Sequence, residues 1–336
     1  MRSETQGNRG GERRTLSAGA VASLYRTLNA HLQIARIDHW FKNVFVIPGI
    51  LVAMGLDPVH MALDLPLRIV IGLASICLVA SSYYVINEVM DAPFDRWHPI
   101  KCKRPVPSGR VNLPLAYVQW IVLMLVGVGL GLLVSLHFAA TMMVLWLMSC
   151  IYNLPPLRVK DVPYLDVLAE SVNNPLRLLA GWFIVGTAYL PPASLLLSYW
   201  MAGAYFMTIK RYAEYREIAD PARATAYRKS FASFTEERLL VAIMFYASAA
   251  MLFLGAFAMR YRLELTLAFP LIALVMAIYL SLAFRDNSPV QRPEHLYREP
   301  MLMLSIAACA IIMGILMVVN IPFLPQLITP TAPTVR

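Results

Sequence analysis

The sequence predicts an all-α polytopic membrane protein, a bundle of nine transmembrane helices. Three observations predict it. Of 336 residues, 59% are hydrophobic and only 15% are charged, against roughly 25% charged in a soluble domain. The charges cluster into short segments between apolar runs of about 20 residues, the length that spans a bilayer as a helix. The ten-residue alternation of a transmembrane β-barrel is missing. A soluble globular enzyme is therefore excluded.

The apolar runs fall at about 43–60, 67–90, 113–135, 137–152, 164–186, 191–212, 239–259, 264–284 and 301–323. The fourth is short, and the fifth carries Glu170, Asn173, Asn174, Pro175 and Arg177. Such groups are costly in lipid, so they are expected to face the bundle interior or a wet cavity. With nine spans, 24 of the 29 Lys and Arg residues fall on one side of the membrane. The positive-inside rule then puts the N-terminus in the cytoplasm and the C-terminus outside. Removing one interior span would scatter the basic loops over both faces. The net charge of +9 reads as anchoring and anion binding. It does not indicate nucleic acid, since no soluble module is left to read a groove.

Three regions follow: a basic tail and interfacial amphipathic helix over 1–36, the intramembrane domain over 37–325, and a C-terminal tail over 326–336. Residues 1–14 read as a disordered basic tail, with no signal-peptide core after them. Val21, Leu24, Leu28, Leu32 and Ala35 recur at helical spacing, as expected of a helix lying on the cytoplasmic leaflet.

The densest chemistry closes the second span. Asn87, Asp91 and Asp95 are spaced i, i+4, i+8, one helical face with about 40° of drift per step. Three stacked oxygen ligands at a membrane edge suit Mg²⁺, which binds through one or two carboxylates plus substrate phosphate oxygens. Arg96, Lys101, Lys103 and Arg104 just downstream are the cations a polyphosphate needs around such a metal. A solvated loop in which Asp91 and Asp95 simply pair with those cations is the plainer alternative. Pro93 is expected to kink the helix.

A second constellation runs from Tyr152 through Pro155, Pro156, Arg158, Lys160, Asp161, Pro163 and Tyr164 to Asp166. The two adjacent prolines force an extended turn. Pro163 suits the first turn of the next helix, with Asp161 or Val162 at its cap. Asp166 and Glu170 stand i, i+4, and Asn173, Asn174 and Arg177 continue that stripe into the span. Asp161 and Asp166 do not share a helical face, and Asp166 is the one chosen to reach a metal.

A third group follows the sixth span: Lys210, Arg211, Tyr212 and Glu214, then Arg223, Tyr227, Arg228, Lys229, Ser230, Ser233 and Thr235. Lys210 and Glu214 form an i, i+4 pair, and part of this charge is the ordinary product of the positive-inside rule. Beside an acidic metal site, the Lys, Arg, Tyr and hydroxyl groups look like phosphate ligands. Gly127, Gly129 and Gly131 resemble a nucleotide fingerprint but lie within an apolar span, so they read as close helix packing. The four cysteines and six histidines show no disulfide or metal-ligand spacing.

A span ending Asn-x-x-x-Asp-x-x-x-Asp, followed by Arg-x-x-Pro and a Tyr…Lys…Asp motif about 70 residues later, resembles the UbiA-type intramembrane prenyltransferases. The resemblance runs over about residues 33–323 and implies a nine-helix fold with a cytoplasm-facing cavity. His39-Trp40-Phe41-Lys42-Asn43, Asp95-Arg96-x-His98-Pro99-x-Lys101-x-x-Arg104-Pro105, Leu165-Asp166, Leu176-Arg177, Lys210-Arg211-Tyr212-Ala213-Glu214 and Arg228-Lys229-Ser230 resemble one branch, the polyprenyl-phosphate (decaprenyl-phosphate) phosphoribosyltransferases. Glu88 stands where the family usually has Asp, and the Pro155-Pro156 segment looks more like the lipid- and pigment-prenylating branches.

The resemblance implies a Mg²⁺-dependent transferase of the bacterial plasma membrane, serving envelope lipid biosynthesis. Phosphoribosyl diphosphate would sit on Asn87, Asp91 and Asp95 with Mg²⁺, and Asp166 would join the catalytic set. A polyprenyl phosphate would enter from the bilayer, and pyrophosphate would leave. Lys42, Arg96, Lys101, Arg104, Tyr152, Lys160, Arg177, Lys210, Arg211, Glu214, Arg228 and Lys229 would bind the substrates. The alternative within the family is transfer of a prenyl group from a prenyl diphosphate to an aromatic or isoprenoid acceptor. A transporter would show polar groups at mid-membrane and on both faces in two similar halves, whereas here they crowd on one face. A homo-oligomer is compatible with the sequence, which does not specify one.

Overall fold

The computed structural model describes residues 25–56, 64–96, 101–218, 220–291 and 293–328. The expected N-terminal tail over 1–14 and residues 329–336 of the expected C-terminal tail over 326–336, together with Val21, Leu24 and His98, lie outside them, while residues 326–328 of that tail are helical. The regular structure of the described residues is all helix, with no strand among them. Helices α1 (Ile47–Leu56), α2 (Leu65–Asp95), α3 (Leu113–Val134) and α4 (Leu136–Asn153) form the first half. Helices α5 (Leu165–Ser171) and α6 (Asn173–Ile184) lead into α7 (Ala193–Ile218), α8 (Pro221–Tyr227), α9 (Glu236–Tyr261), α10 (Phe269–Ala283), α11 (Pro300–Val318) and α12 (Leu324–Ile328).

Among the described residues, seven helical stretches are long and apolar enough to cross a membrane: Tyr25–Leu56, Leu65–Asp95, Leu113–Val134, Leu136–Asn153, Glu236–Tyr261, Leu263–Ala283 and Pro300–Val318. The other two expected spans differ from those seven for visible reasons. The fifth is broken at Val172 into α5 and α6, and Pro175 sits in the first turn of α6, where its missing N–H costs nothing. The sixth, α7, is a continuous 26-residue helix that carries Lys210, Arg211, Glu214 and Arg216 in its last turns. The molecule is an integral membrane protein of the all-α class.

Local sequence sets the helix ends. Asn112 and Ser135 cap α3 and α4, accepting from the backbone N–H of Leu115 and Phe138 at 3.1 Å each, and Thr235 caps α9 through the Arg238 N–H at 3.2 Å. These caps satisfy donors that a helix start otherwise leaves orphaned. At the sparsely charged end, Arg68 donates from Nε to the Ile184 carbonyl at 2.8 Å. It thereby closes the C-terminus of α6, where a cation is favoured.

Helix α2 packs on α3 and α4, α1 on α6, and α7 on α9, with α5 and α6 joining the two sets to α7. One core gathers Val46, Ile50, Ile76, Phe138, Met142, Trp182 and Ile184; another gathers Tyr205, Ile209, Phe231, Leu239, Ile243 and Leu282. At the crossing of α1 and α6 the backbones nearly touch. A methyl group on Gly49 would meet the Leu178 carbonyl, and one on Gly181 the Val46 carbonyl. The glycine run of α3 behaves as small-residue packing at two of its three positions. Gly127 lies against Ser75 and Val79 of α2, and Gly131 against Phe138 and Ala139, while Gly129 faces open space.

Residues 25–34 form a helix. Ala30 and Ile34 pack with Val85, Val89 and Ala116 of α2 and α3, while Leu28 and Leu32 are exposed. His31 Nδ1 meets Gln119 Oε1 at 2.7 Å, and Gln119 Nε2 donates to the His31 carbonyl at 2.9 Å. The helix carries apolar residues on both faces: Ala30 and Ile34 face inward, and Leu28 and Leu32 of the expected stripe face outward.

Candidate active site

The three charged groups expected from the sequence meet at one end of the bundle, where α2, α4 and α7 finish and α5 begins. Helix α2 runs unbroken through Pro93 to Asp95, so Asn87, Asp91 and Asp95 keep the helical stacking their spacing predicts. Pro93 lies three residues from the helix end, so it forfeits only a bond near the terminus.

Each group of that face is held by a distant segment. Asn87 donates from Nδ2 to Asn153 Oδ1 at 2.8 Å. Lys160 Nζ donates to the same Asn153 oxygen at 2.9 Å and to Asp91 Oδ1 at 2.6 Å. Arg158 reaches Asp91 Oδ1 at 3.4 Å and Asp161 at 3.1 Å. Asp95 pairs through Oδ2 with Arg104 at 2.7 Å. The pairing with cations just downstream holds for Asp95, whereas the cations on Asp91 come from the second constellation, 67 and 69 residues away. Glu88, behind this face, accepts the Val106 N–H at 3.2 Å and lies 3.6 Å from Arg36, which ties the 101–111 loop to α2.

The second centre is Asp166, fully buried. Its Oδ2 accepts from Arg211 Nε at 3.2 Å, Arg228 Nη1 at 3.0 Å and Ser230 Oγ at 3.2 Å. Arg211 also pairs with Glu214 at 3.0 Å, so Arg211 rather than Lys210 makes the direct bridge to that acid. Helix α5 starts at Leu165, two residues later than Pro163 suggests. Its cap is Tyr164 at φ 63° with no side-chain cap bond, in place of Asp161 or Val162. Asp161 instead pairs with Arg158 and lies 3.7 Å from Lys229.

Burial and charge shape the acids and bases here. Burial pushes the Lys101 ammonium below the usual lysine value, against Glu214 and Asp95, which pull it up. Lys160 is lowered for the same reason, with Asp91 opposing. Glu214 is pushed up by burial, yet Arg211, Lys210, Arg228 and Lys101 outweigh that and hold it at about 2. Lys101 thus feels the charges of both centres, Asp95 and Arg104 of one and Glu214 and Arg228 of the other.

The polar stripe of the fifth span divides at the break. Glu170 accepts from the Tyr83 hydroxyl at 2.6 Å, and Tyr83 stacks at a tilt 6.3 Å from Tyr152. Tyr152 is buried, with Lys160 Nζ 5.9 Å from its ring centre. Arg177 turns to α1's leading segment, donating from Nε to Asn43 Oδ1 at 3.1 Å, and Asn43 Nδ2 donates to Cys77 Sγ at 3.2 Å. Lys42 lies beside His39 Nδ1 at 3.3 Å. Arg96 is exposed at the end of α2 and makes no ion pair among the described residues. The expected residues are thus gathered except Arg96, which stays at the rim, Arg177, which turns to Asn43, and Lys42, which lies beside His39. Asn153, Arg158, Tyr83 and Ser230 are further members; Arg158 and Ser230 stand in the second and third constellations, and only tertiary contact marks Asn153 and Tyr83.

No group of three His, Cys, Asp or Glu side chains is poised around one point among the described residues. The donor set at Asn87, Asp91 and Asp95 is two carboxylates and an amide. Asp91 and Asp95 each engage their cations through one oxygen. Hard oxygen donors in that small number fit Mg²⁺, which fills its remaining positions with water and substrate oxygens.

The UbiA prenyltransferase family model matches residues 44–306. The decaprenyl-phosphate phosphoribosyltransferase of Mycobacterium tuberculosis is 30% identical over 225 residues, 66% of this chain and 72% of that protein. The uncharacterized protein y4nM of Sinorhizobium fredii is 28% identical over 156 residues, 46% of this chain, and the match spans only 29% of that protein's length. The structure of a UbiA homolog from Archaeoglobus fulgidus bound to DMAPP and Mg²⁺ superposes with a TM-score of 0.64 at 20% identity, covering 86% of this chain and 99% of that one. The stacked Asn87, Asp91 and Asp95, the basic residues around them and the family match over 44–306 all lead to one assignment: the chain belongs to the UbiA prenyltransferase family and is a transferase of that type.

Proposed function

We propose that the protein transfers phosphoribosyl from phosphoribosyl diphosphate to a polyprenyl phosphate and releases pyrophosphate. The observation that carries this reading is the convergence of Lys101, Arg104, Arg158, Lys160, Lys210, Arg211 and Arg228 on two acidic centres. Two phosphorylated substrates need that many cations, whereas a neutral acceptor does not. The similarity to the Mycobacterium tuberculosis enzyme supports the same choice.

Asn87, Asp91 and Asp95 would hold Mg²⁺, in keeping with the Mg²⁺ bound by the Archaeoglobus fulgidus homologue. When bound, that ion supplies charge neutralisation for the diphosphate. The remaining work falls to the chain's own groups. Lys160, held between Asp91 and Asn153, and Arg104, held by Asp95, place positive charge where the leaving diphosphate gathers its electrons. In the transfer, a phosphate oxygen of the lipid donates an electron pair to the anomeric carbon. The bond from that carbon to the diphosphate oxygen breaks, and its pair leaves with pyrophosphate. A phosphate monoester is already ionised at neutral pH, so no general base is needed. Positioning and leaving-group stabilisation account for the catalysis. The reactive face would lie in the cytoplasm and the lipid would arrive from the bilayer.

The test uses purified protein in detergent with Mg²⁺, labelled phosphoribosyl diphosphate and a polyprenyl phosphate. Label appearing in the organic phase and disappearing with EDTA is the expected result. Absence of label, with stabilisation by a prenyl diphosphate instead, would favour the family's prenyl transfer, the reaction that the Pro155-Pro156 segment resembles.

A further inference from the structure

The three donors on Asp166 come from two separate parts of the chain. Arg211 belongs to α7, while Arg228 and Ser230 belong to the segment after α8. All three converge on Oδ2, and Oδ1 is buried with no hydrogen-bond partner among the described residues. Asp166 is 0% exposed, against 26% for the Asp91 side chain. A magnesium ion sheds water reluctantly and keeps several waters when it binds carboxylates. Asp91 offers room for such a hydrated ion at the end of α2. Asp166 is walled in and already carries two guanidiniums, whose charge opposes a second cation.

Two guanidiniums fixed by one carboxylate have a different use. An arginine fork matches phosphate oxygens in pairs, and its value depends on being held in place. Glu214 steadies Arg211 from the other side at 3.0 Å. Arg228 is partly exposed, and its neighbour Lys229 lies 3.7 Å from Asp161, the partner of the Arg158 that reaches Asp91, so this segment touches both acidic centres. We propose that Asp166 is a positioning residue that takes no metal: it fixes Arg211 and Arg228 as a metal-free receptor for the phosphate monoester of the lipid acceptor. The identity of that ligand rests on the phosphoribosyl-transfer reading. It leaves the diphosphate to the Asn87, Asp91 and Asp95 face.

Two measurements on the purified full chain test this without requiring turnover. Mn²⁺ binding followed by electron paramagnetic resonance should weaken at least ~10-fold in Asp91→Asn and stay within ~2-fold of wild type in Arg228→Gln. If Asp166 were a metal ligand, removing the competing guanidinium would tighten Mn²⁺ binding or add a second bound ion. Either outcome would overturn the proposal, and Arg228→Gln leaves Asp166 paired to Arg211 and Ser230. Binding of farnesyl phosphate in EDTA, read by thermal stabilisation, should weaken ~10-fold in Arg228→Gln. Arg228→Lys should recover part of that loss. Unchanged farnesyl phosphate binding in Arg228→Gln, or binding by the wild type that requires Mg²⁺, would equally overturn it. A wild-type protein that binds farnesyl phosphate in EDTA but transfers no phosphoribosyl group would refute the functional reading alone.

Discussion

Asp91 shows how a single residue joins two motifs that lie far apart in sequence. Its carboxylate takes Lys160 at 2.6 Å and Arg158 at 3.4 Å, both about 68 residues away. Removing the charge while keeping the shape should leave the helix intact and disable the diphosphate site. Asp91→Asn and Asp95→Asn are therefore each expected to lower turnover by about 100-fold or more, with an unchanged melting profile in detergent; full activity in both would remove these residues from the site. Lys160 gives a pH signature. Its ammonium is lowered below the usual lysine value by burial, against Asp91, so raising the pH strips its proton earlier than for an exposed lysine. Activity that depends on the charge is present below that folded pKa and lost as pH rises through it. Lys160→Arg should move the alkaline limb of the rate profile to higher pH, whatever it does to the maximum rate. An unmoved limb would take Lys160 out of the diphosphate contacts. The i, i+4, i+8 spacing made Asn87, Asp91 and Asp95 legible in the sequence, because a helix alone places them on one face. Asn153 was not legible, since its bond to Asn87 spans 66 residues and arises only from the packing of α4 on α2.

Among the elements, α2 and the apolar helices followed from hydropathy because their length and composition suffice. The fifth span did not: its apolar share suggested one helix, whereas the chain breaks at Val172. Pro175 carried the signal, being suited to a helix's first turn and unsuited to its middle. That break separates Asp166, which turns to Arg211 and Arg228, from Arg177, which turns to Asn43. Close packing of α1 on α6 keeps the two groups in register. Gly181→Ala is expected to cost about 1–3 kcal/mol, because its methyl group would meet backbone at Val46 rather than a flexible side chain. Gly129→Ala in α3 meets nothing within 4 Å and should be neutral or stabilising by up to about 1 kcal/mol. Thermal unfolding of the two variants in the same detergent compares them directly; equal melting would contradict the packing described.

At the scale of the molecule, the lopsided distribution of Lys and Arg was the most informative feature of the sequence, and the structure gives it a cause. The cations of three loops and of the end of α7 are drawn to one end of the bundle, where Asp91, Asp95, Asp166 and Glu214 anchor them. What hydropathy could not supply is the division of labour between the two acidic centres, which depends on burial and on contacts across α2, α4, α5 and α7. The whole arrangement is a concentration of positive charge at one end of a transferase of the UbiA family, and we propose two phosphorylated substrates for it. Its central claim is the identity of the donor. Purified protein should be given phosphoribosyl diphosphate and a prenyl diphosphate together, with Mg²⁺ and a polyprenyl phosphate, and both donors followed by mass spectrometry. Consumption of phosphoribosyl diphosphate, matched one for one by pyrophosphate and phosphoribosylated lipid with the prenyl diphosphate untouched, is the predicted result. Consumption of the prenyl diphosphate with phosphoribosyl diphosphate left intact would contradict it.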